Sequence, residues 1–169
     1  MIWNNIHELT SYLKNSNFKV NGGKIYLTSG GFDPMHVGHL RCIQETVKLA
    51  SQEKNAIAVL IVNGDGFLLR KKGYAFMPLQ ERMEIIAGIK GVDDVTTWDD
   101  GTSTVIGAIE TLAPDYFTKG GDRTDASNVP EFEICQKIGC QILFGIGGKK
   151  IQSSSDLVQK MTNQNEGGR

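Results

Sequence analysis

The sequence predicts an α/β fold, a Rossmann-like doubly wound parallel sheet in three layers with an extra N-terminal helix. Three features carry that prediction. Strand-sized apolar runs alternate with helix-periodic segments between residues 24 and 144, the pattern of a parallel sheet covered on both faces. The run Ala56-Ile57-Ala58-Val59-Leu60-Ile61-Val62 lacks polar alternation, as a strand buried on both sides requires. Glycines, 20 against 4 prolines, gather in doublets where strands should end, which marks backbone-lined sites rather than linkers.

Each element follows from local pattern. Ile2, Ile6, Leu9 and Leu13 fall at helical spacing, so a helix is predicted over about residues 3–15, and Asn21-Gly22-Gly23 ends it. Lys24 to Ser29 reads as the first strand, and Leu40, Ile43, Val47 and Ala50 as a helix after it. Asn55 to Val62 is the second strand. Arg70-Lys71-Lys72-Gly73 reads as a loop, and Pro78 opens a helix carrying Met83, Ile86 and Ile89. Strands are then predicted at residues 92–98, 115–118 and 141–144, with helices marked by Val105, Ile109 and Leu112 and by Phe132, Cys135 and Ile138. Right-handed crossovers favour the doubly wound arrangement. Residues 1–22 form a helical extension, 23–162 the main domain, and 163–169 a polar, frayed tail.

Composition narrows the function classes. No stretch approaches the roughly 20 apolar residues of a membrane span, and the N-terminus lacks the pattern of a secretory signal. With 18 basic and 19 acidic residues the net charge is −1, so no bulk field gathers nucleic acid or an anionic membrane. Cys42, Cys135 and Cys140 are odd in number and lack a C-x-x-C spacing. They read as reduced thiols in a cytoplasmic protein.

In such a sheet, ligands bind beyond the carboxyl ends of the strands. Four loops meet there: residues 30–39, residues 63–66, Lys119-Gly120-Gly121-Asp122-Arg123, and residues 145–155. In the first, Gly30 and Gly31 permit close backbone approach, and His36 and His39 flank Gly38 at the entrance of a helix. Two imidazoles with free backbone N–H groups make a phosphate cradle. Alternatively the pair caps the helix or binds a metal, though a third strong ligand is not evident.

Gly-Phe-Asp-Pro followed by His36-Val37-Gly38-His39, directly after a first strand, resembles the signature of the cytidylyltransferase-like nucleotidyltransferases. Two further motifs occur in the matching order, Pro78-Leu79-Gln80-Glu81-Arg82-Met83 and Ser153-Ser154-Ser155-Asp156, so the resemblance covers about residues 24–158. Lys119-Gly120-Gly121-Asp122 resembles the heptose-phosphate adenylyltransferase branch more than the branches acting on glycerol or ethanolamine phosphate. The resemblance implies transfer of CMP or AMP from CTP or ATP to a small sugar or polyol phosphate, with pyrophosphate leaving. It implies catalytic roles for His36, His39, Arg82 and Lys119. Nucleotide contacts are implied for Ser29, Gly30, Gly31, Phe32, Gly38, Asp122, Ser153, Ser154 and Ser155.

It further implies Mg²⁺ carried by the triphosphate, with no metal site in the protein itself, and a homodimer. Each residue also has a plainer reading: Arg82 as a surface partner of Glu81 or Glu84, Ser153 and Asp156 as a helix cap, Asp122 as a turn residue. Relatives often carry a basic residue where this chain has Val47, so Lys48 is a candidate acceptor contact, as is Lys72. Tyr74 and Phe76 depart from the heptose branch, which leaves the acceptor open. Rival readings are a nucleotide sensor that releases no pyrophosphate and a metal or redox module built on His36, His39 and a cysteine.

Overall fold

The computed structural model describes residues 1–121 and 123–166. Five parallel strands, β1 (Lys24–Gly30), β2 (Ala56–Asn63), β3 (Asp94–Trp98), β4 (Tyr116–Gly120) and β5 (Gln141–Ile146), lie in the order β3-β2-β1-β4-β5. The order reverses between β1 and β4, which places the topological switch point there. Seven helices are described: α1 (Ile6–Asn15), α2 (Val37–Ser51), α3 (Asp65–Lys72), α4 (Leu79–Ala87), α5 (Ile106–Leu112), α6 (Phe132–Ile138) and α7 (Ser154–Glu166).

The apolar periodicities bury two layers. Ile6, Leu9 and Leu13 of α1 and Ala108, Ile109 and Leu112 of α5 join Leu27, Val59, Ile61 and Phe117 in one core. Ile43 of α2 and Met83 and Ile86 of α4 pack with Leu60, Val62 and Val95 in the other. Val59 to Val62 are fully buried, in keeping with a strand that has no polar face.

Three boundaries differ from expectation. The predicted loop at residues 70–73 is the last turn of α3, followed by Gly73 in the left-handed conformation. This helix has no apolar stripe, since only Phe67 and Leu68 are buried, and its basic last turn suits the negative end of the helix dipole. The first helix starts at Ile6 rather than Trp3, with the Asn5 side chain accepting from Glu8 N. The residues before it join the sheet: Trp3 N donates to Val95 O and Val95 N to Met1 O, each at 2.8 Å, pairing Ile2 with Val95 along β3. At the other end, α7 runs to Glu166, into the segment expected as a polar tail.

Candidate active site

β1 and β4 are paired at Tyr26–Tyr116 and Leu27–Phe117, and above that level they separate. Buried threonines line the parting: Thr46 and Thr118 hydroxyls lie 2.8 Å apart, and Thr28 Oγ1 donates to Thr118 O at 3.3 Å. The opening is a cleft of about 320 Å³ at the carboxyl ends of the strands.

One wall is the turn from β1 into α2. His36 is the N-cap of α2, and its Nδ1 accepts from Gly38 N at 3.1 Å. His39, three residues on, accepts at Nδ1 from His36 N at 3.3 Å, closing a reciprocal capping box. The rings stack with centroids 3.8 Å apart, and Phe32 meets His39 edge-on. The caps use only Nδ1 of each ring. With both Nδ1 atoms accepting, each neutral ring carries its proton on Nε2 and has a donor to offer. Both rings stay neutral at pH 7. Burial, then the charges of Lys72 and Lys150, lowers the pKa of His36, while burial, His36 and Lys72 push that of His39 down to about 3.

The opposite wall is the start of α7. Ser153 Oγ accepts from Asp156 N at 3.1 Å, a helix cap, and buried Ser154 donates to Pro34 O at 2.8 Å. That bond fastens the N-terminus of α7 to the histidine turn, so two helix N-termini face one cleft. Gly147 makes the close approach possible: its φ is +85°, and a Cβ there would stand 2.7 Å from Cys42 N.

Lysines complete the cleft: Lys149 and Lys150 line it from the loop between β5 and α7, and two more enter from β4 and α3. Lys119, at the end of β4, lies 3.7 Å from Glu131 and 4.5 Å from the centroid of the Phe117 ring. Burial lowers its pKa and Glu131 works against that shift. Lys72 reaches in from α3, its pKa lowered by burial and held up by Asp33.

The structure thus gathers His36, His39, Lys72, Lys119, Ser29, Gly30, Phe32, Gly38, Ser153, Ser154 and Ser155 around one space. Asp122 lies outside the described residues. Three expected contacts are elsewhere. Arg82, proposed for the nucleotide or acceptor, is 1% exposed and lies under the floor. It donates to Met77 O at 2.9 Å, Gly31 O at 2.8 Å, Asn63 O at 2.7 Å and Asp65 Oδ1 at 2.5 Å. Its guanidinium ties the ends of β1 and β2 to the entrance of α4. Asp33, fully buried, holds that entrance too, accepting from Phe76 N and from Met77 N at 2.7 Å. Gly31 backs onto Leu68 outside the cleft, where a Cβ would come within 2.6 Å of Leu68 Cδ2. Lys48 is exposed on α2 beside Gln44, Glu45 and Gln52, away from the cleft.

Arg123 and Gln152 also line the cleft; the sequence places both in the converging loops without giving either a role. Arg123 directly follows the quoted Lys-Gly-Gly-Asp tetrapeptide and Gln152 directly precedes the serines, so adjacency was the available signal. Among the described residues no group of three His, Cys, Asp or Glu side chains could hold a metal ion. Imidazole, ammonium, hydroxyl and backbone N–H donors make a site for anions.

A cytidylyltransferase-like family model matches residues 27–143. The bifunctional protein HldE of Hahella chejuensis is 34% identical over 133 residues, covering 78% of this chain and 24% of that protein. The same-named protein of Desulfatibacillum aliphaticivorans is 31% identical over 160 residues, covering 94% of this chain and 30% of that protein. The chain thus spans under a third of the length of these curated relatives. The crystal structure of the lipopolysaccharide core biosynthesis protein from Thermoplasma volcanium shares the fold, with a TM-score of 0.55 and 23% identity over 73% of this chain and 95% of that one.

Proposed function

The chain belongs to the cytidylyltransferase-like family and is a nucleotidyltransferase, and we propose that it transfers AMP or CMP from ATP or CTP to a small sugar or polyol phosphate. The observation that carries this reading is the meeting of the imidazole pair and the Ser153–Ser155 helix start, distant in sequence, across one cationic cleft. An acceptor phosphate oxygen attacks the α-phosphorus in line, the bond to the bridging oxygen breaks, and pyrophosphate leaves. Such transfer depends on positioning and charge neutralisation. The Nε2–H groups of His36 and His39 donate to the α-phosphate and bridging oxygens as charge builds there. The N-terminus of α7 and its serines hold the β- and γ-phosphates. Lys119, Lys72 and Arg123 bring the acceptor phosphate alongside. Mg²⁺ would ride on phosphate oxygens and water, since among the described residues the cleft offers donors for anions and no carboxylate cage. The Lys119-Gly120-Gly121-Asp122 tetrapeptide favours ATP.

The test is pyrophosphate release with ATP and with CTP against a panel of phosphate monoesters. Release that depends on acceptor is the expected result. Tight nucleotide binding with no release for any pair marks a sensor and overturns the reading.

A further inference from the structure

Lys119 is a cation in an apolar setting. Its side chain is 18% exposed, and its ammonium stands 4.5 Å from the centroid of the Phe117 ring. Burial there favours the neutral amine. An amine that has lost its charge holds a phosphate poorly, and buried lysines lose it readily. A lysine serving this cleft therefore needs a counter-ion that keeps its proton in place without occupying its N–H groups.

Glu131 meets both conditions. It is buried at the N-cap of α6, and its Oε1 accepts from Val105 N at 3.2 Å, so the start of α5 fixes the carboxylate in place. Oε2 is sealed from solvent and accepts no hydrogen bond from any described residue. Its counter-ion is Lys119, 3.7 Å away, within ion-pair range but beyond hydrogen-bond length. The contact thus compensates charge without taking up an N–H of the ammonium. The other titratable groups facing Lys119 are Arg123 after β4, Lys71 on α3, and the thiols of Cys135 on α6 and Cys42 on α2, with Lys72 in the same cleft. Arg123 and Lys71 work to strip its proton, and Glu131 acts against them more strongly than either.

Building on the nucleotidyl-transfer reading, we propose that Glu131 is a positioning residue for that reaction, the buried counter-ion that keeps Lys119 charged while leaving its N–H groups to a phosphate in the cleft. Glu131 touches no substrate and acts through Lys119. Without the carboxylate, the ammonium gives up its proton at a lower pH, and alkaline inactivation begins earlier.

The experiment is the pH profile of pyrophosphate release, taken with the fastest nucleotide and phosphate monoester of the panel. Glu131→Gln keeps an oxygen for Val105 N and removes the charge. It should move the alkaline limb of kcat/KM at least about one pH unit lower, so the ratio of variant to native rate falls about tenfold between the neutral and alkaline ends. A carboxylate that only shaped the fold would lower the whole profile evenly and leave its limb in place. Lys119→Arg carries its charge at every pH, so adding Glu131→Gln to it should produce no shift. If Glu131→Gln does not fold, Glu131→Asp, which draws the charge back from Lys119, should shift the limb the same way by a smaller step. A limb unmoved in a folded Glu131 variant, or a shift that persists beside Lys119→Arg, overturns the positioning role and leaves nucleotidyl transfer intact. No release from the native chain with any pair overturns the transfer reading, and this role falls with it.

Discussion

His39 and Arg82 have opposite relations to the site although one family resemblance brought both to attention. His39 spends Nδ1 on the helix cap and keeps Nε2 for the cleft, whereas Arg82 spends its guanidinium inside the protein. His39→Ala should lower kcat by about 10²–10³ and cost only about 1 kcal/mol of stability, the loss of a cap. Arg82→Met strands two buried strand-end carbonyls and should cost about 3 kcal/mol or more, with activity falling only as the folded fraction falls. Urea unfolding beside single-turnover rates separates the two cases. His39 also sets an acid limit. Its pKa is about 3 when folded, against about 6.5 for a free imidazole, so between those values the unfolded chain takes up a proton that the folded chain refuses. The stability tied to the neutral ring is complete above about pH 6.5 and drains away as pH falls toward 3. Unfolding midpoints at pH 7 and pH 5 should therefore differ more for the native chain than for His39→Gln.

Elements were legible where apolar spacing is regular. All five strands lie where strand-sized apolar runs put them, and α2, α4, α5 and α6 follow their apolar stripes. What escaped was set by distant partners. α3 has no stripe and is held through Phe67 and Leu68, and the role of Arg82 depends on carbonyls 51 and 19 residues away. The cleft's two walls were legible as motifs, but the pairing of Lys119 with Glu131 was not, because Glu131 belongs to no motif. The crossing of β5 into α7 turns on two adjacent glycines with different neighbours. Gly147→Ala meets Cys42 backbone atoms at 2.7 and 2.9 Å and should cost about 2–4 kcal/mol and weaken nucleotide binding. Gly148→Ala, also at positive φ but with nothing within 4 Å, should lose only about 1 kcal/mol and bind nucleotide normally. Thermal unfolding with nucleotide titration of both variants checks this.

At the scale of the molecule, a chain of net charge −1 concentrates Lys72, Lys119 and Arg123 around one cleft at the switch point. The near-zero net charge thus hides a local concentration of cations. The bridge between Ile2 and Val95 lies on β3, at the edge of the sheet. A parallel sheet that stops at β3 would present a bare ladder of amides to any passing copy, and Met1 to Trp3 cover part of it with the chain's own backbone. Removing residues 1–4 should therefore leave a sticky margin: light scattering would show the trimmed protein building concentration-dependent aggregates that the full chain does not form.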